Sequence, residues 1–161
     1  MNRPVALVTG ASRGIGAATA IECARQGYDV AVNYVHDAQA AAGVVAQVCA
    51  LGRRAVAIGA DVSQEADVMR LFAAVDAELG PLAALVNNAG VVDVAGRVDE
   101  MGGDRLARMF GVNVLGSMLC AREAVRRMST RHGGGQWAAA GGGRGGAIVN
   151  LSSVAARLGS P

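Results

Sequence analysis

Five short apolar runs alternate with helix-forming segments along this chain, and the alternation limits the folds that it can adopt. The runs predict strands at residues 4–8, 29–34, 54–60, 82–86 and 147–151. The segments between them predict helices at residues 14–26, 37–51, 63–79 and 104–128, with Asp37 and Ser63 as candidate N-caps of the second and third helices. Strands joined by helical crossovers run parallel, and the helices then cover both faces of the sheet. We therefore expect an α/β fold with a doubly wound parallel sheet.

Composition supports a single folded domain over residues 1–161. Hydrophobic residues make up 52% of the chain and charged residues 17%, which excludes a disordered chain. Aromatic residues are only 3%, so we expect an aliphatic core. The net charge of +2 gives no support to a nucleic-acid or membrane partner, and no apolar run reaches the roughly 18 residues of a membrane span.

The cysteines and the first residues predict a cytoplasmic protein without a metal site. Cys23, Cys49 and Cys120 are odd in number, and their spacing fits no metal motif. Free cysteines are usually buried, so we interpret these three as small hydrophobic residues in a reducing compartment. The first four residues lead directly into a strand and do not resemble a signal peptide.

Two features around the end of the fourth helix each have a structural and a functional interpretation. Residues 132–146 are rich in glycine and predict a flexible loop, in which Trp137 is more typical of a loosely docked aromatic residue than of a binding residue. The helix before this loop predicts a solvated basic face, with a Glu123–Arg127 pair, rather than a nucleic-acid patch. The arginines of this face are Arg122, Arg126, Arg127 and Arg131.

The turn between the first strand and the first helix carries the clearest chemical pattern. Residues 9–16 read Thr-Gly-Ala-Ser-Arg-Gly-Ile-Gly. Gly10 permits a tight turn, Gly14 lets a pyrophosphate approach the backbone, and Gly16 lets the helix pack closely, while the free N–H groups of the helix hold the anion. The spacing is GxxxGxG rather than GxGxxG, and by itself it also fits a turn without a ligand or a methyltransferase.

Further segments at the predicted strand ends, and one residue in the long helix, narrow this choice. They are Asp61-Val62, Asn87-Asn88-Ala89-Gly90, Asn113, and residues 147–153 with the sequence Ala-Ile-Val-Asn-Leu-Ser-Ser. In this order and at these distances they resemble the short-chain dehydrogenase/reductase family over essentially the whole chain. Residues 30–34 and 153–159 look most like members known as sugar dehydrogenases or 3-oxoacyl thioester reductases.

The resemblance implies an oxidoreductase that transfers a hydride between a nicotinamide cofactor and a small carbonyl or alcohol substrate. Ser153 would hydrogen-bond the substrate oxygen, with Ser152 as its competitor, and Asn113 would hold a water in a proton relay. A complete member would be expected to form a homo-oligomer. The cofactor contacts would be Thr9, Gly10, Ser12, Arg13, Gly14, Ile15, Gly16, Tyr34, Asp61, Val62, Asn87, Ala89 and Gly90.

The end of the second strand favours NADP over NAD. NAD enzymes of doubly wound folds place an acidic residue there, on the ribose 2′-hydroxyl. Tyr34 occupies that place here, and Arg13 stands within reach of a 2′-phosphate.

The chain departs from the family in its catalytic pair. The family's Tyr-x-x-x-Lys follows the position of Ser153, whereas the only tyrosines here are Tyr28 and Tyr34 and the 161 residues include no lysine. We therefore expect a truncated chain with an incomplete Rossmann sheet of about five strands, an open edge at the fifth strand, and no activity alone. The alternative is a non-catalytic NAD(P)-binding or interaction protein.

Overall fold

The computed structural model describes residues 3–132, 134 and 145–158, in which strands and helices alternate as the sequence predicts. The strands are β1 (Val5–Val8), β2 (Asp29–Tyr34), β3 (Ala55–Gly59), β4 (Leu82–Asn87) and β5 (Ala147–Asn150). The helices are α1 (Gly14–Arg25), α2 (Ala38–Ala50), α3 (Glu65–Glu78), α4 (Gly103–Phe110), α5 (Ser117–Met128) and α6 (Ala155–Leu158). Short 3₁₀ turns lie at Val98–Glu100 and Thr130–His132.

The five strands form one parallel sheet in the order β3-β2-β1-β4-β5, which confirms the doubly wound fold. β1 lies at the centre, where Val8 is in register with Val32 of β2 and Val86 of β4. The chain winds outward from β1 through β2 to β3, and then returns to build β4 and β5 on the other side. The carboxyl ends of β1 and β4 therefore flank a switch point, where ligands of such folds bind.

Alternating side chains of the buried strands fill two apolar layers. Val5 and Leu7 pack with α3 and α5 on one face of the sheet. Val8, Val30 and Val32 pack with α1 and α2 on the other face. Successive strand residues point to opposite faces, so the apolar runs of the sequence supply both layers. β5 lies at one edge of this sheet, and Val149 in it is 52% exposed.

The two predicted helix caps have different outcomes. Asp37 caps α2, because its Oδ1 accepts the Ala40 N–H at 2.8 Å. The predicted cap at Ser63 is wrong, since α3 begins at Glu65 and has no side-chain cap. Ser63 instead donates its N–H and its hydroxyl to Oδ1 of Asp61, at 2.9 and 2.8 Å. The hydroxyl is therefore used to shape the loop that follows β3.

The single long helix predicted over residues 104–128 is interrupted by a π-helical segment, Gly111–Gly116, between α4 and α5. Its last residue lies against the loop after β3. A Cβ on Gly116 would come within 2.8 Å of Cγ2 of Val62 and 3.1 Å of the Val62 carbonyl oxygen. The segment therefore packs more closely on this loop than any residue with a side chain allows.

The basic end of α5 is an ion network around a buried acid, so the predicted solvated face is wrong in part. Glu123 is only 2% exposed and accepts hydrogen bonds from Arg122, Arg126 and Arg127 at 3.1, 2.7 and 2.9 Å. Arg127 also pairs with Asp76 of α3 at 2.8 Å. The predicted Glu123–Arg127 pair, which lies within α5, is confirmed, and the Arg127–Asp76 pair joins α5 to α3.

Three further expectations concern a membrane span, a metal site and the glycine-rich loop. None of the helices in residues 3–132 or 145–158 is long and apolar enough to cross a membrane. Within the same ranges, no group of three His, Cys, Asp or Glu residues could hold a metal ion. Trp137 and most of the predicted glycine-rich loop lie outside the described residues, so the loop stays a prediction.

We predict that the Glu123 network stabilises the fold less as the pH falls. Burial opposes the charged carboxyl, but hydrogen bonds from Arg127 and Arg122 outweigh burial and lower the pKa of Glu123. A lowered pKa in the folded state contributes stability above the unfolded pKa, and this stability is lost as the pH falls through the folded pKa. Glu123→Gln should therefore reduce the free energy of unfolding by about 3 kcal/mol at neutral pH.

Urea unfolding of the protein between pH 7 and pH 3 measures this effect. The difference between wild type and Glu123→Gln should shrink as the pH falls, because the wild-type carboxyl then becomes neutral too. Glu22→Gln is a matched control, since Glu22 pairs with Arg25 on the surface and exposed pairs contribute little. A difference that is constant across the pH range would contradict the prediction.

Candidate cofactor site

The carboxyl edge of the sheet brings the predicted cofactor residues to one side of the molecule. Residues 9–16 follow β1, Asp61 and Val62 follow β3, and residues 88–90 follow β4, while Tyr34 and Asn87 end their strands. The strands are parallel, so all these residues lie at the same edge. Asn113 lies in the π-helical segment, and Ser152 and Ser153 follow β5.

The turn after β1 is locked to the segment after β4 by reciprocal hydrogen bonds. Oγ1 of Thr9 accepts the N–H groups of Asn88 and Ala89, both at 3.0 Å. Nδ2 of Asn88 donates to the carbonyls of Thr9 and Gly10, at 2.8 and 3.0 Å. The sequence analysis gives Thr9 and Ala89 as cofactor contacts and includes Asn88 in the motif at residues 87–90, but it assigns no role to Asn88.

The three predicted glycines meet different requirements. Gly10 and Gly14 have φ of 61° and 57°, in the left-handed region that favours glycine. A Cβ on Gly16 would lie 2.5 Å from the Gly10 carbonyl oxygen and would overlap Nδ2 of Asn88. A Cβ on Gly14 would meet nothing within 4 Å, so the backbone there faces open space. Gly16 thus allows α1 to approach the Gly10 carbonyl and Asn88 closely, and Gly14 leaves its backbone accessible to a ligand.

The start of α1 offers unpaired donors to an anion. Arg13 at the N-cap makes no side-chain capping bond, and the first turn of α1 contains no acidic residue. The first N–H groups of a helix lack partners within the helix, and its dipole favours negative charge at this end. Arg13 and Ile15 are exposed beside them, whereas Ser12 is half-buried. This donor set suits a pyrophosphate.

The far side of the turn presents Tyr34 and no acidic group. The ring of Tyr34 lies over β3, because a Cβ on Gly59 would be 3.4 Å from its hydroxyl oxygen and its Cζ. The next acid along the chain, Asp37, is used to cap α2. The guanidinium of Arg13 has no ion pair or hydrogen bond within the described part of the chain. The negative charge of Asp37 is therefore already used to cap α2, whereas the positive charge of Arg13 is still available to a ligand.

The two residues after β3 differ in what they can offer to a ligand. Oδ1 of Asp61 is held by Ser63, and the Asp61 N–H donates to Oδ2 of Asp67 at 2.9 Å. Val62 as a whole is 3% exposed and packs in the core beneath Gly116, whereas Asp61 is half-buried. Of these two residues, Asp61 is therefore the one that a ligand could contact.

Asn87 is buried rather than lining the edge with its side chain. Its Nδ2 donates to the Ser117 carbonyl at 3.1 Å and to Oδ1 of Asn150 at 2.9 Å. Its Oδ1 is buried and has no partner among the described residues. Asn87 thus joins β4 to β5 and α5.

Asn113 uses its side chain to hold the segment after Gly90. Its Oδ1 accepts the Val91 N–H at 2.8 Å, and its Nδ2 donates to the Val91 carbonyl at 2.9 Å. In a regular α-helix the Asn113 carbonyl would accept the N–H of Ser117, but the π-helical pairing of this segment directs that N–H to another carbonyl. The π-helical segment therefore removes the usual α-helical partner of the Asn113 carbonyl, and such segments are frequent at functional sites.

Both candidate serines are exposed beyond β5. Oγ of Ser153 accepts the Ala155 N–H at 3.1 Å, at the start of α6. Ser152 and Ser153 lie next to each other on extended chain, so their side chains point in different directions. Either hydroxyl can meet a ligand that enters at this edge, and the choice between them stays a prediction.

Comparisons with known proteins agree with this arrangement. The family model described as short chain dehydrogenase matches residues 4–161. The chain belongs to the short-chain dehydrogenase family. A curated relative, the uncharacterized oxidoreductase YgfF of Escherichia coli (strain K12), is 48% identical over 157 residues, which are 98% of this chain and 60% of the relative. Versicolorin reductase 1 of Aspergillus parasiticus is 43% identical over 130 residues, 81% of this chain and 48% of that protein.

Solved structures of the short-chain dehydrogenase family show the same fold. A short chain dehydrogenase from Burkholderia cenocepacia J2315 in complex with NADP is 38% identical, with a TM-score of 0.85 over 98% of this chain and 58% of that one. A putative short-chain dehydrogenase/reductase from Burkholderia xenovorans is 30% identical, with a TM-score of 0.86 over 100% of this chain and 64% of that one. The chain thus spans about three fifths of the length of these relatives.

The surroundings of Gly16 and Gly14 predict that an alanine at these two positions lowers the free energy of unfolding by different amounts. Gly16→Ala should destabilise the protein by about 3 kcal/mol or more, at the upper end of overpacking penalties, because the methyl group overlaps Asn88 and the Gly10 carbonyl. Gly14→Ala should cost only about 1–2 kcal/mol, the penalty for a left-handed backbone, because nothing is within 4 Å of the added atom. Urea unfolding of both variants measures the difference. Equal destabilisation, or a more stable Gly16→Ala, would contradict this account of the turn.

Proposed function

We propose that the protein is an NADP-dependent oxidoreductase that transfers a hydride between the nicotinamide and a small carbonyl or alcohol substrate. The observation that carries the proposal is the turn at residues 9–16, with unpaired helix donors, an open backbone at Gly14 and an unpartnered Arg13. NADP carries a pyrophosphate and a 2′-phosphate, which are the anions that such donors and a guanidinium bind. The family supports the reaction class, and the named complex with NADP supports a nicotinamide cofactor.

The residues of the edge fit the parts of the cofactor in order. Ser12, Ile15 and the N–H groups at the start of α1 would hold the pyrophosphate and ribose. Asp61 would hold the adenine from the loop that the buried Val62 fixes against Gly116, and Ala89 and Gly90 would line the nicotinamide half. The cofactor supplies the hydride chemistry, and the chain supplies its position.

Ser153 and Asn113 would act on the substrate side. The Ser153 hydroxyl would donate a hydrogen bond to the substrate oxygen, which positions the carbonyl and stabilises charge on it. The Asn113 carbonyl would accept from a water of the proton relay, because the Asn113 side chain is already bound to Val91. A purely structural role for Asn113 is the alternative, and it needs only the Val91 contacts.

The acid–base group of the reaction lies outside these residues. The family's Tyr-x-x-x-Lys pair has no counterpart here, since the 161 residues contain no lysine and have tyrosines only at positions 28 and 34. We therefore propose that the reaction depends on a proton donor beyond this sequence. The competing function, a non-catalytic NAD(P)-binding protein, would need the turn at residues 9–16 but neither Ser153 nor Asn113.

We propose in addition a homo-oligomeric assembly and a cytoplasmic location. Phe110, Val114 and Met118 are spaced four residues apart and all are exposed, with Phe110 64% and Met118 66% accessible. An apolar helical stripe of this kind is typical of an interface, and sedimentation of the purified protein tests whether a second copy covers it. The three cysteines are free, which suits a reducing compartment, but their expected burial holds only for Cys120, since Cys23 is half-buried and Cys49 is exposed.

We predict that the protein binds NADP more tightly than NAD and that Arg13 carries most of the difference. Arg13→Ala should weaken NADP binding by about tenfold to a hundredfold, because a charge-assisted hydrogen bond contributes roughly 1.5–3 kcal/mol. NAD binding should hardly change. Titration calorimetry with both nucleotides measures this.

Arg25→Ala is the matched control, because this substitution also removes one positive charge from α1, but at the opposite end of the helix. It should leave both affinities at the wild-type value. Equal affinities of the wild-type protein for NADP and NAD, or an NADP preference that survives in Arg13→Ala, would rule out this role of Arg13.

We predict that the 161-residue chain shows no appreciable carbonyl reduction with NADPH. General acid–base catalysis contributes about 10²–10⁴-fold, and its agent is missing from these residues. NADPH oxidation with a panel of ketones and aldehydes measures the activity. Turnover that persists in pure protein and is abolished in Ser153→Ala but not in Ser152→Ala would show a different proton donor and would refute the prediction.

A further inference from the structure

A buried asparagine interrupts the apolar strand beside the cofactor turn. Asn33 lies in β2, where the preceding residues Val30, Ala31 and Val32 are fully buried, and Asn33 itself is only 1% exposed. Burying a carboxamide costs free energy unless its polar atoms find partners. The partners of Asn33 therefore show why the strand carries it.

One half of the carboxamide holds the turn after β1. Oδ1 of Asn33 accepts the Gly10 N–H at 3.2 Å. The backbone carbonyl of Asn33 accepts the Ala11 N–H at 2.7 Å. The first two residues of the turn beyond Thr9 are thus tied to the end of β2.

The other half holds the end of β3. Nδ2 of Asn33 donates to the Ala60 carbonyl at 2.9 Å and lies 3.3 Å from the carbonyls of Ile58 and Tyr34. Ala60 directly precedes Asp61, the proposed adenine contact. One side chain therefore reaches the ends of three strands, β1, β2 and β3.

The sheet does not need this side chain for its own pairing. β2 and β3 pair in parallel register from Val30 to Tyr34, and the Ala60 N–H adds a bond to the Tyr34 carbonyl at 2.9 Å. What the carboxamide adds is a fixed separation between the turn and the loop that follows β3. These two segments are the walls between which the adenosine half of the cofactor would lie.

We infer that Asn33 is a positioning residue that sets the adenosine pocket by joining the phosphate-binding turn to the adenine-binding loop. The inference rests on the proposed function, because it assigns these two segments to the same cofactor. Asn33 does not touch the cofactor, since its polar atoms face protein groups. Its carboxamide is suited to the task because one end accepts from Gly10 and the other donates to Ala60.

Replacing the carboxamide by a carboxyl tests whether both the accepting end and the donating end of the Asn33 side chain are needed. Asn33→Asp keeps the acceptor for the Gly10 N–H. When ionised, its second oxygen faces the Ala60, Ile58 and Tyr34 carbonyls, which are acceptors only. Burial and this repulsion raise the pKa of the new carboxyl, and once protonated it donates to Ala60 as the amide does. Cofactor affinity should then return as the pH falls.

The experiment measures the affinity for NADP, and for 2′,5′-ADP as a probe of the adenosine half, between pH 5.5 and 8.5. At pH 8.5, Asn33→Asp should bind both at least about tenfold more weakly than wild type and should approach wild type at pH 5.5. Asn33→Leu, which can make neither bond, should bind weakly at every pH. The wild-type profile, measured alongside, accounts for Tyr34, His36, Asp61 and Arg13, the titratable and charged residues adjoining these segments.

Val48→Ala is the control for stability, because Val48 of α2 is fully buried in the apolar layer that contains Val30 and Val32 of β2. It should lower the thermal midpoint and leave both affinities unchanged when all variants are measured well below their midpoints. If Asn33→Asp does not fold at pH 8.5, Asn33→Ser replaces it, since a hydroxyl can serve only one of the two segments and should weaken binding about fivefold.

Four results would count against the inference or its basis. At pH 8.5, a folded Asn33→Asp or Asn33→Ser variant that binds within about twofold of wild type would overturn it, as would an equal loss in Val48→Ala. A loss in Asn33→Asp that does not change with pH would also overturn it. If wild type binds neither NADP nor NAD, the proposed function fails instead, and the two failures are thus distinguishable.

Discussion

The close approach of two chain segments at the middle of the sheet edge determines the rest of the candidate site. The Thr9 hydroxyl of the turn after β1 accepts from the segment after β4, and the Asn88 amide of that segment donates to the turn. The two segments lie so close that a side chain at Gly16 would overlap Asn88. The start of α1 is fixed by this contact, because α1 begins directly after the turn. The direction in which its N–H groups point is therefore set by hydrogen bonds from β4, which lies far away in the sequence.

Side-chain hydrogen bonds also link the strand ends on both sides of the contact between Thr9 and Asn88. Asn33 ties the turn to β3, and Asn87 ties β4 to β5 and α5. Asn113 then holds the segment beyond Gly90. Polar side chains at the strand ends thus connect neighbouring strands where the ladder of backbone bonds stops. They do so with amides, which donate and accept at once and need no counter-charge.

The sequence was sufficient for the strands and insufficient for these contacts. Buried parallel strands are continuous apolar runs, and glycines or polar residues mark their ends, so all five strands were predicted to within one residue at each end. Asn88 and Thr9 are 79 positions apart, and no local pattern relates them. The role of Glu123 was predicted only as a surface pair, because its burial comes from the packing of α3 on α5. The π-helical segment was missed because it preserves an approximately helical spacing of apolar residues.

The burial of the sheet falls steeply from its centre to β5. All four residues of β1 are fully buried, whereas Val149 of β5 is 52% exposed. A substitution at β1 meets packed neighbours on every side, but one at β5 or in the residues after it meets few. Within these residues, a substitution in the turn after β1 should therefore lower the stability of the fold, whereas a substitution of Ser152 or Ser153 should leave it nearly unchanged.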